Sequence, residues 1–174
     1  MKTIITSVAA FVAASLAFSP VAQAQESSNR VAAKTDWSVF VEDSPKECWG
    51  VSPPKKSVAT KDGKTVQPRR SEILLFVTYR PGKAGEVMFM AGYPFADGST
   101  VDLKVNTGAT FTLFTNGEGA WAGSPEDDAK LIAALKSGAE VTISGHSGRG
   151  TKTEDTFSLM GFTAALDEAS KRCK

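Results

Sequence analysis

The stretch TVDLKVNTGATFTLFTNG, residues 100–117, decides the class of fold. Val101, Leu103 and Val105 alternate with Asp102 and Lys104. That period of two puts one face of a strand against a core and the other in water. Asn106-Thr107-Gly108 then turns the chain. From Thr110 to Thr115, Phe111 and Leu113 face one way and Thr112 and Phe114 the other, and Asn116-Gly117 is a tight-turn pair. Strands this close together, with turn residues between them, argue for an antiparallel sandwich or barrel and against alternating strands and helices.

Working outward, the neighbouring segments repeat the pattern. Trp37 to Val41 and Cys48 to Val51 are short β-prone runs, the second closed by Ser52-Pro53-Pro54. Glu72 to Tyr79 is a continuous apolar run that predicts a strand buried on both faces, ended by Arg80-Pro81-Gly82. Val87 to Tyr93 is another, followed by a turn at Asp97-Gly98. Val141 to Ser144 and Thr156 to Leu159 form a hairpin with Gly145 to Gly150 near its tip. Lys55 to Pro68 is polar, with a turn at Asp62-Gly63.

Two helices interrupt the strands. Over residues 124–137, Ser124 caps, Pro125 fits the first turn, and Glu126 and Asp127 complement the positive helix end. Leu131, Ile132 and Leu135 make its apolar face and Gly138 stops it. Over 162–171, Phe162, Ala165, Leu166 and Ala169 fall on one side.

Residues 1–24 carry the marks of a secretory signal. Lys2 precedes an apolar stretch from Ile4 to Phe18, and Ala22-Gln23-Ala24 offers the small side chains of a cleavage site. The stretch is shorter than the ~20 residues that span a bilayer. The expected product is a leader without fixed structure, residues 25–35, and a single domain, residues 36–174. Lys2 is one of 20 basic residues, and the rest balance the 19 acidic ones. Zero net charge gives no general attraction to nucleic acid or anionic membranes. No later segment is apolar enough to be a transmembrane helix, and the expected location is the periplasm.

Cys48 and Cys173 are the two cysteines. An even count in an exported chain points to a disulfide between them, with two free thiols as the alternative. His146 is the sole histidine and sits in a glycine-rich turn; a Ser-His-Asp or Cys-His site would have to include it, and a single histidine removes most zinc arrangements. The glycines of 145–150 lie between strands, the wrong setting for a phosphate loop. No cofactor and no metal are expected. Lys55, Lys56, Lys61, Lys64, Arg69 and Arg70 cluster before the buried strand. They are either a solvated loop or a docking patch for an envelope protein or other acidic macromolecule. Trp37, Trp49 and Trp121 suit a core or half-core better than ligand stacking.

Several short motifs stand in order along the chain: Asp36-Trp37-Ser38-Val39, Cys48-Trp49, Arg70-Ser71-Glu72, Gly148-Arg149-Gly150-Thr151, and Asp155-Thr156-Phe157-Ser158-Leu159-Met160-Gly161-Phe162 before a short helix ending in Cys173. In this order the chain resembles the invasion associated locus B family of exported proteobacterial proteins over residues 36–173. The resemblance implies a mainly β fold, an immunoglobulin-like antiparallel β-sandwich, with an envelope location and no catalytic site. Many members carry a further cysteine where this chain has Phe40 and Val41, so the resemblance leaves Cys173 as the partner of Cys48. The reading is a non-catalytic binding or interaction module. Its rivals are a periplasmic enzyme and a purely structural envelope protein.

Overall fold

The structure, a computed structural model, describes residues 29–174. The expected signal segment and residues 25–28 of the leader lie outside the described residues. The remaining chain forms a 12-stranded antiparallel sheet and two helices. The strands are β1 (Arg30–Lys34), β2 (Trp37–Asp43), β3 (Lys46–Ser52), β4 (Lys56–Lys61), β5 (Lys64–Val66), β6 (Leu74–Tyr79), β7 (Glu86–Met90), β8 (Thr100–Val105), β9 (Thr110–Asn116), β10 (Gly119–Trp121), β11 (Glu140–His146) and β12 (Lys152–Ser158). The helices are α1 (Pro125–Ser137) and α2 (Phe162–Arg172).

The strand order is β1-β2-β3-β6-β7-β10-β9-β8-β11-β12-β4-β5. The sheet folds over so that its two halves face each other as a sandwich. The Trp37 indole N–H donates to the Ser158 carbonyl at 2.9 Å, and Phe89 of β7 meets Phe157 of β12 edge to face at 6.0 Å. β1 and β5, at the two ends of the order, each pair on one side only and not with each other, so the sheet does not close into a barrel.

The alternation that announced β8 is the burial seen. Val101, Leu103 and Val105 are fully buried and their neighbours exposed. Leu75, Val77, Val87, Phe89, Leu113, Val141, Ile143 and Phe157 complete the centre of the core. Ser124 caps α1, its Oγ accepting the Asp127 N–H at 3.2 Å. The predicted face of α2 is buried: Phe162, Ala165, Leu166 and Ala169 lie over β2 and β3, and Phe162 meets Trp37 edge to face at 4.8 Å. Burying a Leu or Phe side chain of this kind is worth about 1.5–3 kcal/mol. The bridge between Cys48 of β3 and Cys173 at the end of α2 is formed, with Cα atoms 5.8 Å apart.

Three expectations are corrected. Residues 30–34 of the leader are not structureless: they form β1, which hydrogen-bonds along β2 although its own side chains are mostly exposed. The polar run 55–68 is a hairpin, β4 and β5, turned at Asp62-Gly63 and added to the edge of β12. β6 buries Leu75 and Val77 fully, while Leu74, Phe76 and Thr78 on its other face are only half-buried. β1 is seated by a second contact. The Asp36 N–H donates to the Met160 carbonyl at 3.2 Å, and the next residue, Gly161 (φ 89°), packs its α-carbon against the Lys34 carbonyl.

Candidate functional site

One end of the sandwich opens into a cleft of about 560 Å³. Its walls come from the β5–β6 connection (Pro68 to Ser71), the start of the β7–β8 connection (Gly92 to Pro94) and the tip of the β11–β12 hairpin (Ser147 to Thr151).

Arg70 sets the floor. Its Nη1 and Nη2 donate to Asp155 Oδ1 and Oδ2 at 2.8 and 2.6 Å, and its Nε to the Ala91 carbonyl at 2.9 Å. Asp155 faces inward on β12 and is fully buried, and the Arg70 side chain is only 8% exposed. Ser57, cross-strand from Asp155 on β4, adds a hydrogen bond to Oδ1 at 2.6 Å. The Tyr93 ring lies against the guanidinium, 5.0 Å from centroid to Cζ, and its hydroxyl shares a 2.6 Å hydrogen bond with Thr153. Burial pushes the Tyr93 pKa up, with the Asp155 charge adding to it and the Thr153 hydrogen bond and Arg70 charge opposing.

Backbone contacts hold the walls in place. The Ser71 N–H donates to the Gly92 carbonyl at 3.0 Å. Gly92 has a φ of 72°, and a Cβ there would come 2.8 Å from the Ser71 carbonyl oxygen. The hairpin tip is tied down by Gly148 N–H to the Pro94 carbonyl at 3.1 Å and by Thr151 N–H to Ser147 Oγ at 3.1 Å.

These bonds limit the chemistry. Both Asp155 oxygens are occupied and shielded from water, so this carboxylate is not available as a general base. The guanidinium of Arg70 is bound to its floor partners. His146 is exposed on β11, where Gly145 and Ser147 on either side are buried, so its side chain lies on the opposite face from the cleft. On the rim, Arg69 and Arg149 are exposed, and neither has a hydrogen-bond or ion-pair partner among the described residues. Glu118 is the carboxylate of the lining and accepts from Ser71 Oγ at 3.2 Å. Two unengaged guanidiniums above a rigid floor form a site that can hold an anionic group, since the guanidinium fork matches a carboxylate or phosphate.

The six basic residues read as one patch are dispersed. Arg70 is internal and cannot dock a partner. Lys55 is bound to Asp36 at 2.6 Å. That hydrogen bond and then a second one involving Ser158 hold Asp36 below the usual carboxylate range; burial opposes them, and the Lys55 charge is the smallest contribution in their favour. Lys61 and Lys64 are register partners beside the β4–β5 turn, and Lys56 is exposed at the start of β4. Arg69 and Arg70 both line the cleft, but of the two only Arg69 is exposed on the rim, joined by Arg149 from the glycine-rich tip. Arg149, Tyr93 and Asp155 are the residues that the charge pattern missed. Arg70, Arg149 and Asp155 each belong to one of the motifs quoted above, yet nothing local shows that Arg70 and Asp155, 85 positions apart, meet. Trp37 is core; Trp49 stacks on Phe40 at 5.7 Å and Trp121 on Phe114 at 5.9 Å.

A family model described as Invasion associated locus B (IalB) protein matches residues 43–170, a span that contains every residue of the cleft. No curated protein and no solved structure matches the chain.

Proposed function

The chain belongs to the invasion associated locus B family, and from that premise we propose that it is an exported envelope module that binds an anionic segment of a macromolecule in the cleft without transforming it. The observation that carries this reading is the contrast between floor and rim. The floor's ionisable groups are spent on one another, whereas the rim's Arg69 and Arg149 have no partner among the described residues. The leader pattern of residues 1–24 and the Cys48–Cys173 bridge support an oxidising compartment outside the cytoplasm. A carboxylate-bearing segment entering the cleft would meet two guanidiniums and one opposing carboxylate, Glu118, so approach is electrostatically favoured and weakened by salt.

The test is calorimetric titration of the protein with a triglutamate peptide and with trigalacturonate, in low salt and again at physiological salt. At least one should bind, more weakly as salt rises, and Arg69→Glu/Arg149→Glu should abolish binding without changing the melting temperature. Absence of binding by both probes at low salt, or equal binding by the variant, would overturn the reading.

A further inference from the structure

A second surface lies outside the cleft, on the outer face of β9, β8, β11 and β12. The sheet register lines its side chains in rows: Thr110, Lys104, Thr142 and Thr156 in one, Thr112, Asp102, Ser144 and Glu154 in the next. His146 pairs with Lys152 and Phe114 with Thr100 at the adjacent positions. A groove of about 630 Å³ runs over this face. Phe114 stands at the border of this groove rather than in its lining: it is 51% exposed, stacks on its cross-strand partner Trp121 with the ring planes 28° apart, and lines the adjoining pocket together with Trp121.

We propose that this face is a binding site for a neutral oligosaccharide, which stacks a sugar ring on Phe114 and lays its hydroxyls along the Thr/Ser rows. The charges of the groove cancel: Asp102 and Glu154 stand beside Lys104 and Lys152, and Lys152 is paired to Glu154 at 3.0 Å. A polyanion or polycation finds no complement there, and an apolar peptide would strip water from four charges without replacing their hydrogen bonds. A polyhydroxylated ligand does replace them, because each hydroxyl both donates and accepts, as Thr and Ser do. Neighbouring strands repeat every ~4.8 Å, so such donors and acceptors recur on a regular grid. The C–H face of a sugar ring carries slight positive charge and suits the negative face of an aromatic ring. The Phe114 ring is half-exposed and stacked on Trp121, which leaves it accessible to such a sugar ring.

The experiment is an NMR titration of isotope-labelled protein with chitotetraose and with maltotetraose, each to about 10 mM, a range that captures dissociation constants near 1 mM. At least one should give saturable shifts at amides of β8, β9 and β11 and at the Trp121 indole. Phe114→Ala should weaken binding roughly tenfold, and Ser144→Arg, which fills the groove from an exterior position, should remove it. Arg69→Glu/Arg149→Glu should leave it unchanged, which separates this site from the anionic cleft. No saturable shift with both sugars, shifts confined to the cleft, or full affinity in both groove variants would overturn the proposal.

Discussion

Arg70 and Asp155 form a bidentate ion pair with almost no access to water, and through it the β5–β6 connection is tied to the middle of β12. Truncating one partner strands the other charge in the interior, which costs about 3–5 kcal/mol. Arg70→Met should therefore lower the urea midpoint severely. Arg70→Met/Asp155→Leu should recover most of the loss, because no unpaired charge remains. A loss of only ~1 kcal/mol in the single variant would mean that the pair behaves like one on the surface.

The Cys48–Cys173 bridge closes a loop with a sequence separation of 125. The chain-entropy relation for such a loop gives about 5 kcal/mol as an upper figure, and native bridges commonly realise 2–4 kcal/mol. Cys48→Ala/Cys173→Ala should unfold at correspondingly lower denaturant. Because both sulfurs are buried, the folded protein should resist a reductant that acts readily once denaturant is present. Thiol titration with and without denaturant checks this.

Two aspartates should move stability with pH in opposite directions. Hydrogen bonds and the Lys55 charge lower the folded pKa of Asp36 from 3.8, so its contribution is present above that value and is lost as the pH falls through the lowered one. Burial raises that of Asp128, despite the Val87 N–H it accepts at 2.8 Å, so its ionised form costs stability at neutral pH and the cost fades as the pH falls. Asp36→Asn should therefore be less stable than the parent at neutral pH, and Asp128→Asn more stable. Both differences should shrink in acid. Urea midpoints measured against pH decide it; an unchanged gap down to strong acid would remove titration as the cause.

Gly92 couples backbone geometry to the cleft. Alanine there meets a left-handed φ and the Ser71 carbonyl together, whereas Gly63 (φ 73°) has a similar backbone in open space. Gly63→Ala should cost about 1 kcal/mol from conformation alone. Gly92→Ala should cost about 1–3 kcal/mol and also shift the near-ultraviolet dichroism of Tyr93, because the Arg70 segment must move. Equal losses and unaltered dichroism would show that the crowding at Gly92 is relieved elsewhere.

Most of the central strands were legible because each buries one face, and one-sided burial writes itself as alternation. The helices were legible through Ser124 and Pro125 in α1 and the spaced apolar positions of α2. β1 was not: Arg-Val-Ala-Ala-Lys buries little, and the strand exists because β2 offers a row of amides and carbonyls beside it. The β4–β5 hairpin was hidden for the same reason, as a polar addition to an edge. The cleft was the least legible part. Arg70 looked like one more cation in a basic run, and only the three-dimensional path of β12 supplies the carboxylate that turns it inward. The same folding brings Arg149, a residue of a bland glycine turn, to the rim beside Arg69.

The close seat of Gly161 under the Lys34 carbonyl bears on how copies of this chain avoid one another. Any side chain at position 161 would need the space that Lys34 fills and would lever β1 away from its neighbour. The strand then laid bare, Trp-Ser-Val-Phe-Val, has strong β propensity and would present unpaired amides and carbonyls along its length. Such an edge is a template for end-to-end growth of one molecule on the next. The absence of a side chain at position 161, far along the chain from β2, thus lets β1 keep that edge paired.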